Sequence, residues 1–190
     1  MTTATASAAT EIPGYVVGRW VIDQVHSDLS FTVRHMMVSK VRGHFREFDG
    51  EIVTAADPRE SRVTATIQVA SVDTNNEGRD NHVRSGDFFD AATYPTATYR
   101  SEALRLDNGS YTLDGELTLR GVTKPVPLTL EVNGFGPDVQ GGTRAGFTAR
   151  GRINRNDFGV SLNSVMNGIA AVGDNIDFTL EIEAILQPES

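Results

Sequence analysis

The chain has 190 residues, enough to bury a core in one domain without covalent staples. It has no cysteine, which excludes a disulfide framework, a thiol nucleophile and a cysteine metal site. Lys and Arg number 17 against 25 Asp and Glu, a net charge of −8, so the surface as a whole repels nucleic-acid phosphates and anionic bilayers and no nucleic-acid partner is expected.

Residues 1–14 are small and polar up to Pro13-Gly14 and read as a disordered tail ahead of a single domain over 15–190. They lack the charged start and apolar run of a signal peptide. No stretch reaches the ~20 apolar residues of a transmembrane span, so the expected location is the cytoplasm. From residue 19 to 187 the apolar pattern has period two. Phe31, Val33 and His35 share one parity. Val41, Gly43 and Phe45 hold one parity and Phe48, Gly50 and Ile52 the other, which predicts a one-residue bulge near Arg46-Glu47. Val63, Ala65, Ile67 and Val69 alternate against Thr64, Thr66 and Gln68.

One segment reads as helix, about residues 76–85. Thr74 to Glu77 has the form of a capping box, Asp80 and Arg84 are a favourably ordered i,i+4 pair, and Gly86 is a stop. Val83 is its one aliphatic residue, so the helix belongs on the surface or across a barrel mouth. Asn108-Gly109 marks a hairpin turn between 97–106 and 110–120. Alternation then resumes through Tyr111 to Leu119, Val126 to Val132, Ala145 to Ile153 and Ile176 to Leu186. Eight or nine such one-sided strands predict an all-β antiparallel sheet with one wet and one dry face, closed into an eight-stranded barrel.

The inward parity mixes small residues (Gly43, Ala65, Gly115, Ala149, Gly151) with Phe31, Phe45, Phe147 and Phe178. Two readings stand: an unfilled apolar cavity, or small residues facing large ones across a packed core. A cavity with such walls would take an apolar, elongated ligand.

The four histidines, His26, His35, His44 and His82, form no metal-ligand spacing. His44 has outward parity. His35 shares the parity of Phe31 and reads either as a hydrogen-bonded core histidine or as a polar group at the cavity mouth. His26-Ser27-Asp28 is a triad by composition only, because side chains alternate along a strand. Asp23 is placed to cap the turn between the first two strands. Arg79, Asp80, His82 and Arg84 form either a solvated helix face or a mouth that meets a polar lipid head group. Arg144, Arg150 and Arg152 form an outward row that reads as a cross-strand ion-pairing surface.

Trp20-Val-Ile-Asp23, His26-Ser27, Phe31-Thr-Val-Arg-His35, Val41-Arg-Gly43 and Ser71-Val-Asp-Thr74 stand in order along the chain. Arg79-Asp-Asn-His-Val-Arg-Ser85, Asp87-Phe-Phe-Asp90, Tyr94-Pro95, Gly115 to Thr123 and Asn154-Arg-Asn-Asp-Phe-Gly159 follow. Together, over about 19–186, they resemble the YceI-like family of bacterial polyisoprenoid-binding proteins, with Gln24 where proline is usual and Val83 where leucine is usual. The resemblance implies a lipocalin-like barrel with a helix near 76–85. It also implies a hydrophobic channel for a polyprenyl lipid or quinone tail, homodimers, and no catalytic motif, cofactor or metal. Many relatives are periplasmic.

The leading expectation is therefore a non-enzymatic carrier, store or sensor of an isoprenoid lipid. Phe31, Val33, Phe45, Leu117, Phe147 and Phe178 would line the channel. Phe88, Phe89 and Tyr94 would form its mouth, and His35, Arg79, His82 and Arg84 would contact the head group. The alternatives are a metal-dependent enzyme using His26, His35 and His82, and a filled barrel serving as a protein-interaction module.

Overall fold

Alternating apolar residues can hide one face only if a sheet curls upon itself, and in the computed structural model of the chain it does. The structure describes residues 12–107, 110–161, 165–166 and 169–188, with side chains undescribed at 107, 165, 166, 169 and 170. The predicted Asn108-Gly109 turn, and residues 1–11 of the expected tail, lie outside the described residues.

The strands are β1 (Gly18–Ile22), β2 (Asp28–His35), β3 (Ser39–Phe45), β4 (Phe48–Thr54), β5 (Arg62–Gln68), β6 (Val72–Asp73), β7 (Thr96–Asp107), β8 (Ser110–Leu119), β9 (Val122–Pro125), β10 (Leu128–Pro137), β11 (Thr143–Asn154), β12 (Val165–Met166), β13 (Ile169–Ala170) and β14 (Val172–Leu186). The helix α1 spans Glu77–Arg84. All pairings are antiparallel. The ring β1-β4-β5-β7-β8-β10-β11-β14 closes because β14 also pairs with β1, Trp20 facing Leu186 and Ile22 facing Ala184. Higher up, the same β14 pairs with β2, Phe178 facing Phe31, and the sheet continues β2-β3-β6. β1 and β2 act as one bent strand, as do β3 with β4 and β5 with β6. The whole is therefore an extended eight-stranded antiparallel barrel.

The bend at residues 46–47 is the expected change of phase. Pairing lapses for two residues, with Arg46 N donating to Ser71 O (3.2 Å) and Glu47 N to Ser71 Oγ (3.0 Å). Phe45 and Phe48, of opposite parity, both reach the interior in consequence. Further register shifts at Ser101/Ala103 and Val132/Gly134 add curvature.

The disordered-tail expectation is corrected at its end. Ile12 is buried, Tyr15 N donates to Ile12 O (3.0 Å), and Gly14 makes the turn at φ +73°. An apolar side chain at residue 12 gives this short segment something to bury. The capping box is also corrected. Asn76 is the N-cap and accepts from Arg79 N (2.9 Å), while Asp80, buried, accepts from Thr74 N (2.9 Å) and Thr74 Oγ1 (2.6 Å). The expected Asp80–Arg84 pair does not form, because both side chains are committed to the strand side of the helix.

Candidate ligand cavity

Ile176, Phe178, Leu180 and Ile182 alternate down β14 and all face one internal cavity, so its lining extends about 20 Å along that strand. The cavity volume is about 220 Å³. One water needs ~10–15 Å³ by this measure, so the space is many waters large. At one end lie Ile12, Tyr15 and Phe135; at the other lie Phe31, Phe45 and Phe89. Their rings form two clusters, Phe45 standing between Phe31 (5.6 Å) and Phe89 (6.0 Å), and Phe135 between Trp20 (5.6 Å) and Phe147 (5.9 Å).

No charged side chain lines the cavity among the described residues. Its few hydroxyls are all engaged by the protein. Tyr15 Oη donates to Ala55 O (2.8 Å), Ser30 Oγ to Thr179 O (3.1 Å), Thr54 Oγ1 to Val16 O (2.7 Å) and Tyr99 Oη to Val126 O (3.0 Å). Ser61 Oγ accepts from Ala55 N (3.1 Å). Burial pushes the Tyr99 phenol well up, so it stays a neutral donor. An apolar cavity of this kind holds water poorly and offers an apolar guest dispersion contacts on every side.

Both sequence readings of the small inward residues hold in part. A Cβ at Gly151 would stand 2.5 Å from Phe178 Cζ and 2.7 Å from Leu128 Cδ2, and one at Gly43 would run into the Phe31 ring. These glycines seat large side chains rather than create the void. The void persists because the barrel is wider than those side chains fill.

Of the expected lining, Phe31, Phe45, Leu117, Phe147 and Phe178 face the cavity, and so does Phe89. The other expected contacts are corrected. Val33 sits opposite Val41 and Ile176 at the edge of the cavity, where Ile176 still lines the wall and Val33 and Val41 do not. His35 is exposed at the strand end, opposite Ser39, and is neither core nor mouth. Phe88 lies outside the cavity wall, packed on the core with its ring edge-on to His82 (5.0 Å). The Tyr94 ring covers Gly121 instead of reaching the interior.

Arg79, His82 and Arg84 do not line the cavity, and each is bonded to a nearby acceptor. Arg79 donates to Thr74 Oγ1 and Thr74 O (both 2.7 Å). Arg84 donates to Ala70 O (2.7 Å) and Val72 O (2.9 Å). His82 Nε2 meets Asp87 Oδ2 (3.0 Å). Arg79 and Arg84 tie α1 to residues 70–74, His82 ties it to the loop after it, and Phe89 in that loop packs against Phe45. Two arginines brace the same end. Arg120 donates to Phe88 O (2.8 Å) and Gly159 O (2.9 Å), and the buried Arg155 to Val160 O (2.7 Å) and Gly173 O (3.0 Å).

The histidines do not converge. His26 precedes β2 and His35 ends it, with about 23 Å of strand from Asp28 to His35 between them. Ser27 Oγ accepts from Glu183 N (2.9 Å) and Asp28 Oδ1 meets His44 Nδ1 (2.8 Å), so the compositional triad is dispersed. The metal-dependent reading built on His26, His35 and His82 is thus corrected. Ligand atoms of Asp23, His26 and Glu183 do lie within 4.8 Å of one another. Arg144, however, donates to Asp23 Oδ2 (2.7 Å) and Glu183 Oε1 (2.5 Å), supplying the positive charge that a cation would. Asp23 also caps the β1–β2 turn through Val25 N (3.0 Å). With Arg144 and His26 beside it, its carboxyl is lowered from 3.8 to about 2. The outward arginine row is the ion-pairing surface its parity predicts, Arg150 meeting Glu131 (3.5 Å) and Arg152 meeting Asp177 (2.5 Å).

Sequence reasoning missed Ile12, Tyr15, Thr54, Tyr99 and Phe135 as lining. Tyr99 alternates with Ala97 and could have been found; Ile12 and Phe135 had no local signal.

A closed antiparallel barrel around one apolar cavity, with a short helix over one end, is a lipocalin-like fold. The comparisons with known proteins name the family within that class. The YceI-like domain matches residues 20–184, and the chain belongs to that family. It is 37% identical over 163 residues to Protein YceI of Escherichia coli O17:K52:H18, covering 85% of this chain and 83% of that one. It is 42% identical over 134 residues to the UPF0312 protein plu2095 of Photorhabdus laumondii, covering 70% of each. Among solved structures it resembles Burkholderia cenocepacia BcnA, with a TM-score of 0.76, 26% identity and coverage of 85% and 98%. A polyisoprenoid-binding domain from Saccharophagus degradans shares the fold, with a TM-score of 0.66 at 16% identity and coverage of 90% and 100%.

Proposed function

We propose that the chain binds an isoprenoid lipid, a polyprenyl chain or quinone tail, inside the barrel, as carrier, store or sensor and not as an enzyme. The observation that carries this reading is the wall: an elongated cavity without a charged side chain, whose hydroxyls are already bonded to the protein. Such a wall selects against polar guests, since a ligand hydroxyl or carboxylate would lose its water and gain no partner. Each methylene brought in contributes about 0.8 kcal/mol. Ten contribute about 8 kcal/mol, which exceeds the lower end of the ~4–15 kcal/mol cost of immobilising a ligand. The fold shared with a polyisoprenoid-binding domain supports the choice of isoprenoid among apolar chains.

The test is organic extraction of the purified native protein followed by mass spectrometry. A single prenyl-type lipid at near one per chain is expected. An empty extract, repeated after incubation with prenyl lipids and quinones, would refute the reading in favour of a barrel used for protein interaction.

A further inference from the structure

Three features that folded proteins ordinarily avoid coincide at the tip of the β2–β3 hairpin. The turn is left-handed at two successive non-glycine residues, Met36 at φ 51° and Met37 at φ 59°, closed by Val38 N donating to His35 O (3.1 Å). Turns of this hand favour Asn, Asp and Gly, so two methionines strain it. The side chains so displayed are apolar and in water, Met37 53% and Val38 86% exposed. Behind them, Arg34 stands directly opposite Lys40, and Arg42 opposite Thr32, so all three cations share the outward face. Like charges opposite one another repel.

Among the described residues, none of these three cations makes a salt bridge, although Lys40 also acts on Asp177. The nearby acids are taken, Asp177 by Arg152 (2.5 Å) and Asp174 by Arg155 (3.1 Å). Beside the tip, Ala171 O accepts from Met36 N (3.1 Å), and Ala171 carries no charge. In a chain of net charge −8, a patch where three cations share one acid that is already paired with Arg152, behind an apolar point, offers positive charge to a partner from outside.

We propose that the β2–β3 tip docks on an anionic phospholipid bilayer, Met37 and Val38 entering the interface while Arg34, Lys40 and Arg42 meet lipid phosphates. The order of chemistry along the hairpin matches the depth profile of such a surface, an apolar layer about 5–10 Å down beneath an anionic one. A second copy of this chain fits worse, because a two-fold contact would set the same cations against themselves. The remaining negative charge does not prevent contact, since it is screened over about 8 Å at physiological salt. Phe31, which lines the cavity, lies on the same strand as Arg34, so docking turns the Phe31–Phe45–Phe89 end of the cavity toward the membrane. That use of docking rests on the lipid-binding reading; the docking itself does not.

The experiment is co-sedimentation of the full chain with vesicles of phosphatidylcholine alone and of phosphatidylcholine mixed with phosphatidylglycerol. Binding to the mixed vesicles alone is expected, weakening as salt rises. The triple variant Arg34→Gln, Lys40→Gln, Arg42→Gln should lose roughly fivefold in affinity per charge, about a hundredfold in all. Val38→Asp should weaken binding at high salt as well as low, and Arg150→Gln, on the ion-paired face, should change nothing. Thermal melts of each variant separate lost docking from lost folding. Equal binding to both vesicle types, no binding to either, or unchanged binding by folded triple and Val38→Asp variants would each overturn the proposal. So would a concentration-dependent dimer that Val38→Asp dissolves without any vesicle binding. Lipid extraction from the triple variant should still yield the cavity ligand, so failure here and failure of the lipid-binding reading are told apart.

Discussion

The floor of the barrel rests on a hydrogen-bond relay whose removal has a calculable cost. Trp20, fully buried, donates its indole N–H to Thr54 Oγ1 (2.8 Å), and that hydroxyl donates onward to Val16 O (2.7 Å). Thr54→Val keeps the shape and deletes the hydroxyl. The indole donor is then left unpaired in an apolar site, at about 1–3 kcal/mol. The Val16 carbonyl loses a bond worth about 0.5–1.5 kcal/mol, so the expected loss is about 1.5–4.5 kcal/mol. At 2–4 °C per kcal/mol for a domain of this size, the midpoint should fall by at least about 3 °C. Urea titration with the slope checked for constancy measures it. Thr54→Ser should recover most of the loss. In the pair with Trp20→Phe, Thr54→Val should cost distinctly less, because the orphaned donor is gone. A loss under about 0.5 kcal/mol for Thr54→Val alone would refute the reasoning and mean that water enters the floor.

Two further predictions concern the wall and the outer surface. Leu117→Trp, placed on the cavity wall opposite Tyr99, should fill the void and reduce extracted lipid to a small fraction of the wild-type amount while the far-ultraviolet spectrum and a cooperative melt persist; undiminished lipid would contradict the mapped cavity. Asp23, lowered to about 2 by Arg144 and His26, stabilises the fold above its unfolded value near 3.8, and that contribution is lost as pH falls through about 2. Arg144→Gln should bring this loss to higher pH, so acid titrations of the two proteins should separate between pH 4 and 2; superimposable curves would count against the pairing.

The period of the strands was legible because, bulges apart, most of the residues that face inward obey it locally, and Phe31, Phe45, Leu117, Phe147 and Phe178 follow from parity alone. Parity does not say where along a strand the cavity ends. That is set by long-range register, which is why Val33, of the right parity, stands at the edge of the wall beside Ile176 and His35 falls beyond it. The helix cations misled for a different reason. Arg79 and Arg84 carry the right charge for a head group, but their acceptors are main-chain carbonyls at 70, 72 and 74, and a carbonyl has no signature in a sequence. The most diagnostic motifs turn out to be bracing. In Asn154-Arg-Asn-Asp-Phe-Gly159, Asn154 caps a 3-10 turn through Asn156 N (3.0 Å), Arg155 ties its neighbours together, and Gly159 ends the turn at φ +70°. Mutating those positions in search of binding residues would report on folding.

The engaged hydroxyls of the cavity wall have a consequence for selectivity. A site that recognises by hydrogen bonds rejects a molecule lacking one group by orders of magnitude, whereas a methylene more or less changes affinity only about 10–200-fold. This barrel has withdrawn its polar groups from the contest. Such a wall would exclude polar groups and sort the hydrocarbon chains that remain by girth and length. Saturation, branching and chain length should therefore grade affinity smoothly across a series of hydrocarbons, with no single member set apart from its neighbours.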